Sequence, residues 1–136
     1  MKAVGYRSTG SIDRHDALQD INLEMPVAAG RDLLVRVCAV SVNPVDTKVR
    51  QRQEPQAGGW GVLGYDASGV VETVGPEVQN YQPGDAVFYA GAINRPGTNS
   101  EYHLVDERIV GRKPVTLSDA EAAALSVWPP RAAATT

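Results

Sequence analysis

Four polar side chains lie at the ends of predicted strands in the middle of the sequence, where they could line one cleft. Asn43 and Asp46 follow a run of β-branched residues, whereas Tyr65 and Asp66 follow a glycine and precede a second such run. The first run ends before Pro44, because proline lacks a backbone N–H and disfavours helix at the preceding residue. Amide, phenol and carboxylate groups all make hydrogen bonds, so these residues are our candidates for a functional site.

Each candidate also has a purely structural interpretation. Asn43, placed before a proline, is typical of a helix cap or a turn residue. Asp46 and Asp66 can serve as capping or hydrogen-bonding residues, and Tyr65 can be ordinary half-buried packing. The residues alone leave both interpretations open.

The remaining reactive side chains indicate no second site. Cys38 is the only cysteine, which excludes an internal disulfide, and within a strand a lone cysteine usually behaves as a small buried apolar group. We therefore expect Cys38 in the core. His15 and His103 have no Cys or His partner nearby in the sequence, and we expect both to be structural or solvated. The glycines, including Gly75 and Gly84, mark turns and do not form a phosphate-binding pattern followed by a helix.

Length and charge restrict the possible partners. A chain of 136 residues predicts one domain with a real core. The 13 basic and 16 acidic residues give a formal net charge of -3, and no basic run indicates a nucleic-acid partner. No apolar run is long enough to span a bilayer, and the N-terminus lacks the apolar core of a signal peptide. We expect a soluble, cytoplasmic protein that binds neither nucleic acid nor membrane.

Short β-favouring runs separated by turn residues recur along the chain. The patterns predict strands at residues 2–6, 19–25, 31–42, 67–74, 86–90, 100–105 and 109–113. Strands of this length and spacing are typical of a small barrel or sandwich. The run at 31–42 is the longest, and we predict that it is a central strand.

Helices and loops complete the prediction. Pro44 is tolerated in a first helical turn, so we predict a short helix at 45–50 that Asn43 caps. Ser118, with a carboxylate three residues later, predicts a second helix that starts with a capping box. Residues 51–61, rich in Gln, Gly and Pro, predict an exposed mobile loop, and residues 126–136, with paired prolines, predict an aberrant or disordered tail.

Several ordered motifs resemble one known family. They are Ser-Val-Asn-Pro-Val-Asp at 41–46, Leu-Gly-Tyr-Asp-Ala-Ser-Gly-Val-Val at 63–71, Val-Gly at 74–75 and Pro-Gly-Asp-Ala-Val at 83–87. Together they resemble the N-terminal GroES-like domain of the medium-chain dehydrogenase/reductase superfamily, in its zinc-independent quinone oxidoreductase and zinc-type alcohol dehydrogenase-like branch. The resemblance covers residues 1–125 and implies a mainly β (α+β) fold, a partly open β-barrel with short helices. It also implies that the family's Rossmann domain is absent from this chain.

The resemblance implies that no catalytic zinc is bound. Where zinc-dependent members have a cysteine ligand in Gly-Val-Cys-His, this chain has Asn43, and where they have the histidine of Gly-His-Glu, it has Tyr65. An amide and a phenol replace thiolate and imidazole poorly as zinc ligands. The family's structural cysteines are also missing after Val87, and Val45 stands at the position of the proton-relay hydroxyl.

In the family that the chain resembles, a hydride passes from NADPH to a quinone or a conjugated enone, and the GroES-like domain forms one wall of the cleft. The resemblance implies catalytic roles for Tyr65, Asn43 and Asp46, with the Tyr65 hydroxyl stabilising developing negative charge. It implies cofactor contacts for Asn43 and Pro44, and it makes Asp46 and Asp66 weaker candidates than Asn43 and Tyr65.

We therefore expect the substrate-side domain of an NADPH-dependent, zinc-independent quinone or enone oxidoreductase, truncated before its nucleotide-binding domain by a shortened gene, a frameshift near Leu125 or a deliberate cut. Alone, the chain should bind NADPH weakly or not at all, be inactive and self-associate. A non-catalytic GroES-like module that acts in protein interaction is the alternative. A zinc alcohol dehydrogenase half is disfavoured by the missing ligands.

Overall fold

The structure, a computed structural model, describes residues 1–125. The predicted aberrant or disordered tail, residues 126–136, lies outside the described residues. The elements in chain order are β1 Lys2–Tyr6, β2 Gln19–Asn22, β3 Asp32–Ser41, α1 Pro44–Arg52, β4 Gly61–Val62, β5 Asp66–Val74, β6 Ala86–Ala90, β7 Tyr102–Asp106, β8 Val110–Arg112 and α2 Asp119–Leu125. A 3-10 turn, Glu107–Ile109, joins β7 to β8.

Two antiparallel sheets make up this architecture. The larger has five strands in the order β7-β3-β5-β6-β8, so β3 and β5 are its central pair. The smaller has three strands in the order β2-β1-β4, and a bridge between Ala3 and Ser100 joins it to the segment before β7. Every strand pairing within residues 1–125 is antiparallel, so this part of the chain contains no parallel βαβ unit of a Rossmann domain. The mainly β fold with short helices is confirmed.

The core lies on the central strands of the larger sheet. Its buried residues alternate along their strands, because successive side chains of a strand point to opposite faces. They are Leu33, Val35, Ala67, Val71, Val87, Tyr89 and Val105. Helix α2 contacts β3 and β5 and buries Ala122 and Ala123. As predicted, Ser118 directly precedes α2 and caps it, because its hydroxyl accepts from the Glu121 N–H at 3.1 Å.

Several predicted bounds differ from the structure by one or two residues, and two segments, 19–25 and 51–61, need correction. The predicted strand 19–25 ends at Asn22, which pairs with Lys2. Leu23 still exchanges hydrogen bonds with Met1, of 2.9 and 2.6 Å, but Glu24 and Met25 pair with no strand among the described residues. The predicted loop 51–61 is shorter at both ends. Helix α1 continues to Arg52, and Gly61 and Val62 pair with β1. Among the described residues no helix is long and apolar enough to cross a membrane.

The expectation that Cys38 lies in the core is also wrong, because its side chain is exposed. Strand β3 pairs with β7 only as far as Arg36, and its register with β5 shifts between Val37 and Ala39, so Cys38 has no partner residue in β5. The residue therefore lies in a bulge on the solvent side of the strand. Sequence alternation alone does not reveal such a register shift.

The position of Cys38 predicts fast thiol chemistry. We expect the folded chain to react completely with the disulfide reagent DTNB without denaturant, because an exposed thiol needs no unfolding to be reached. Absorbance at the thionitrobenzoate band measures the reaction, and the Cys38→Ser variant provides the blank. Reaction only after addition of denaturant would place the thiol in the core.

Candidate functional site

The start of α1 is tied to the turn before β5 by one buried carboxylate. Asn43 is the N-cap of α1, and Asp46 Oδ2 accepts from the Asn43 backbone N–H at 2.8 Å. The other oxygen, Asp46 Oδ1, accepts from the Gly64 N–H at 2.8 Å. Both oxygens of Asp46 thus have backbone partners, which supports the structural interpretation of this residue. Pro44 occupies the first turn of α1 with an exposed side chain.

The turn that presents Tyr65 and Asp66 requires glycine at position 64. Gly64 has a φ of 98°, in the left-handed region that favours glycine. A Cβ atom there would lie 2.5 Å from Thr98 Oγ1 and 2.6 Å from Asn99 Oδ1. The local sequence therefore fixes the direction in which the next two side chains leave the turn.

Asp66 is buried at the start of β5, between two strands. Its backbone pairs with Ser41 of β3 and Ala90 of β6, and the residue is 0% exposed. The Asn43 amide Nδ2 donates to Asp66 Oδ2, whereas Asp66 Oδ1 has no hydrogen-bond partner within residues 1–125. Burial, together with the negative charge of Asp46, raises the pKa of Asp66 to about 6.

Tyr65 is 2% exposed and lines a cavity of about 390 Å³. Burial, with smaller effects of Tyr6 and Asp46, raises the pKa of Tyr65 to about 12, so its hydroxyl stays protonated at neutral pH. That hydroxyl is not hydrogen bonded to any residue of 1–125, and it remains available as a donor. Other residues of the lining include Tyr6, Val49, Trp60, Ile93 and Arg95.

The structure places the four candidates in two neighbouring groups. Asn43, Asp46 and Asp66 form one hydrogen-bonded cluster between α1 and β5. Within the described part of the chain, the lining of the 390 Å³ cavity includes Tyr65 but not the other three. Tyr65 therefore faces the cavity, and its neighbour Asp66 faces the cluster, as adjacent residues entering a strand should.

Sequence reasoning missed most of the cavity wall. Trp60, with the Arg7 guanidinium stacked 4.2 Å from its ring centroid, falls in the segment predicted as a mobile loop. Arg95 is held by Asp32 through two hydrogen bonds of 2.9 and 2.8 Å. Functional residues often lie on loops between strands, and this was the one signal in the sequence for the cavity wall. It indicates which segments to consider but not which residues within them.

A second cavity, of about 290 Å³, lies between the two sheets and contacts Tyr102 and His103. His103 Nε2 lies 2.9 Å from the Pro96 carbonyl oxygen, which only accepts, so this nitrogen carries the proton and Nδ1 accepts from the Tyr89 hydroxyl at 2.8 Å. Burial lowers the pKa of His103 to about 4. Both ring nitrogens are thus occupied, which agrees with a structural role for His103.

The donor atoms of the cluster are those of an amide and two carboxylates. Within residues 1–125, no three His, Cys, Asp or Glu residues are grouped so as to hold a metal ion. Cys38 lies on the exposed bulge of β3 and His103 is paired elsewhere in the core. This donor set does not fit the thiolate and imidazole ligands that zinc prefers.

Comparison with known proteins yields one family. Residues 29–115 match the alcohol dehydrogenase GroES-like domain. A zinc-type alcohol dehydrogenase-like protein of Staphylococcus epidermidis is 43% identical over 125 residues, which are 92% of this chain and 37% of that protein.

Two solved structures are similar in fold and sequence. A Rhizobium etli protein described as a zinc-dependent alcohol dehydrogenase is 62% identical, with a TM-score of 0.89 over 92% of this chain and 36% of that one. The Escherichia coli quinone oxidoreductase, solved in complex with NADPH, is 26% identical, with a TM-score of 0.80 over 92% of this chain and 37% of that one. The chain thus spans little more than a third of the length of each of these proteins.

Proposed function

Because the chain belongs to the alcohol dehydrogenase GroES-like domain family, and is an N-terminal region of the medium-chain dehydrogenase/reductase superfamily, we propose that it forms the substrate-side wall of an NADPH-dependent, zinc-independent quinone or enone oxidoreductase. The observation that carries the proposal is the protonated hydroxyl of Tyr65 in a cavity that Tyr6 and Trp60 also line. By the resemblance of the motifs, Tyr65 stands where zinc-dependent members have a histidine ligand. The NADPH complex of the Escherichia coli relative supports the cofactor.

The residues of this domain would bind and polarise the substrate. NADPH, when bound, supplies the hydride. Tyr65 donates a hydrogen bond to the carbonyl oxygen of the substrate, where negative charge develops, and its raised pKa keeps the proton on the phenol. The rings of Tyr6 and Trp60 line the same cavity and suit a flat conjugated molecule. Asn43 and Pro44, at the exposed start of α1, face the cofactor.

The zinc-independent part of the proposal is supported by the donor set. Asp46 already uses both oxygens for backbone N–H groups, and Asn43 and Tyr65 offer an amide and a phenol. The names of the Staphylococcus epidermidis and Rhizobium etli relatives contain zinc, so a zinc-dependent alcohol dehydrogenase is the competing function. A metal-removal experiment separates the two.

A chimera tests the proposal. We expect residues 1–125, placed in the Rhizobium etli protein in exchange for its matching segment, to support NADPH oxidation by 1,4-benzoquinone or 2-cyclohexen-1-one after dialysis against EDTA. Tyr65→Phe should lower kcat/KM about 100-fold, because it removes the hydrogen-bond donor to the developing oxyanion. Absorbance at the NADPH band follows the reaction.

Tyr102→Phe is the matched control, because Tyr102 lines the other cavity, and this variant should retain activity. Residues 1–125 on their own should show no turnover, because their strand pairings contain no parallel βαβ unit that could hold the cofactor. Activity that is lost with EDTA and restored by zinc, or oxidation of alcohols in place of quinone reduction, would support the competing function.

A further inference from the structure

Arg95 is the one strongly basic side chain among the described residues that line the cavity of about 390 Å³. Its guanidinium is held by Asp32. Nη1 and Nη2 donate to the two carboxylate oxygens at 2.9 and 2.8 Å, which makes the ion pair bidentate. The Arg95 side chain is 33% exposed and that of Asp32 is 20% exposed, so water screens the pair only in part.

The ion pair joins two distant parts of the fold. Asp32 is the first residue of β3, whereas Arg95 lies in the segment between β6 and β7, which also contributes Ile93 and Pro96 to the lining. Asp32 itself does not line the cavity, and it acts on a ligand there only through Arg95. The positive charge in the cavity wall is therefore offset by a carboxylate before any ligand enters.

Glu54 adds a negative charge to the same wall, and it forms no ion pair within residues 1–125. Its Oε1 accepts from the Thr9 hydroxyl and from the Thr9 N–H at 3.0 Å, which lowers the pKa of Glu54 and keeps it ionised at neutral pH. Burial raises the pKa of Tyr6, and the charge of Glu54 raises it further. The charge of Glu54 thus acts on an aromatic residue of the lining.

These charges make the cavity unfavourable for an anion. An anion that leaves water needs a cation or several hydrogen-bond donors in exchange. Arg95 could serve only by giving up Asp32, which would leave that partly buried carboxylate without its partner. The Arg7 guanidinium, stacked on Trp60, is exposed and lies outside the lining. An uncharged conjugated carbonyl compound needs only the Tyr65 hydroxyl and contacts with the rings.

We propose that this cavity selects uncharged conjugated carbonyl compounds over anionic ones, and that Asp32 is the positioning residue that sets this selectivity by neutralising Arg95. The assignment of the ligand as a reductase substrate rests on the proposed function, but the charge preference does not. Removing the Asp32 charge should release the Arg95 cation toward a ligand, and removing the Arg95 cation should leave the Asp32 charge to repel an anion.

Nuclear magnetic resonance of the full 136-residue chain tests the preference with two flat conjugated ketones, acetophenone and 4-acetylbenzoate, which differ by one carboxylate. The indole N–H signal of Trp60, identified by its loss in Trp60→Phe, reports on this cavity, because Trp60 lines it and does not line the cavity of about 290 Å³. At neutral pH we expect the unmodified chain to bind acetophenone about 10-fold more tightly than 4-acetylbenzoate.

Two variants should change this ratio of affinities in opposite directions. Asp32→Asn should lower it about 5-fold and Arg95→Gln should raise it about 5-fold, and both changes should shrink in about 1 M NaCl because salt screens charges. Asp85→Asn is the matched control, since Asp85 pairs with Arg112 at 3.4 Å and lines neither cavity, and its ratio should equal that of the unmodified chain.

The opposite signs separate charge selectivity from a merely structural role of the ion pair. A displaced loop would change the ratio in the same direction in Asp32→Asn and Arg95→Gln, without dependence on salt, and that result would overturn the proposal. Equal affinities for the two ketones in the unmodified chain would also overturn it, as would a Trp60 signal that neither ketone shifts. If Asp32→Asn does not fold, the unmodified chain and Arg95→Gln still decide. An inactive chimera would contradict the proposed function and leave these affinities unaffected.

Discussion

Acidification from pH 6.5 to about pH 4 should lower the free energy of unfolding by about 3 kcal/mol through His103 alone. The imidazole is 5% exposed, and burial lowers its pKa to about 4 in the folded chain, against 6.5 for an ordinary histidine. In this window the unfolded chain binds a proton that the folded chain does not, so stability falls as the pH falls. Below the window both states are protonated, above it both are neutral, and the contribution stays constant in each case.

The hydrogen bonds of His103 explain why the folded chain resists the proton. Nε2 already donates to the Pro96 carbonyl oxygen, so a second proton must go to Nδ1, which accepts from the Tyr89 hydroxyl. The Tyr89 ring is itself buried and stacks on the imidazole with centroids 5.6 Å apart. After protonation the phenol proton would lose its acceptor in the core, which is costly.

Urea unfolding of the parent and of His103→Gln at several pH values measures this contribution. The stability gap between the two proteins should change by about 3 kcal/mol across the window, because glutamine does not titrate. His15→Gln is the matched control, since His15 is exposed, and its gap to the parent should stay constant. A constant gap for His103→Gln would mean that the folded chain accepts the proton freely.

Local signals in the sequence were sufficient for most of the fold. Strand β1 and strand β6 have the predicted bounds, because both are short β-favouring runs next to turn residues, which are a local signal. Pro44 and Gly64 mark the start of α1 and the turn before β5 through restrictions on φ and on the backbone N–H. These restrictions are properties of single residues, so the sequence carries them in full.

Contacts between distant segments could not be predicted from such local signals in the sequence. The Asn43 contact with Asp66 depends on the register that pairs Ser41 with Asp66, and the Arg95 contact with Asp32 joins residues 63 positions apart. The exposure of Cys38 depends on the register shift beside it. A sequence pattern gives the face on which a residue lies but not its partner across the sheet, and therefore it could name the candidate residues but not the hydrogen bonds between them.

Asp66→Asn should stabilise the chain at about pH 7.5, by about 1–2 kcal/mol, although it removes a buried hydrogen-bonding group. The folded chain holds the pKa of Asp66 at about 6, against 3.8 for an ordinary aspartate, because of burial and the charge of Asp46. Between these two values the folded chain keeps a proton that the unfolded chain has released, so stability falls as the pH rises through the window. Asparagine keeps an oxygen that accepts from Asn43 and carries no charge, but its NH2 group needs an acceptor, which reduces the gain.

The same substitution at the neighbouring Asp46 should change the free energy of unfolding in the opposite direction. Asp46 accepts from two backbone N–H groups, of Asn43 and Gly64, with its two oxygens. In Asp46→Asn one of these buried donors loses its acceptor, and we expect the free energy of unfolding to fall by about 1–3 kcal/mol. Urea unfolding at about pH 7.5 and about pH 4 compares both variants with the parent, and the gain of Asp66→Asn should vanish at the lower pH. Destabilisation by Asp66→Asn at both pH values would contradict this prediction, because it would show that the carboxyl group stabilises the fold whether or not it is ionised.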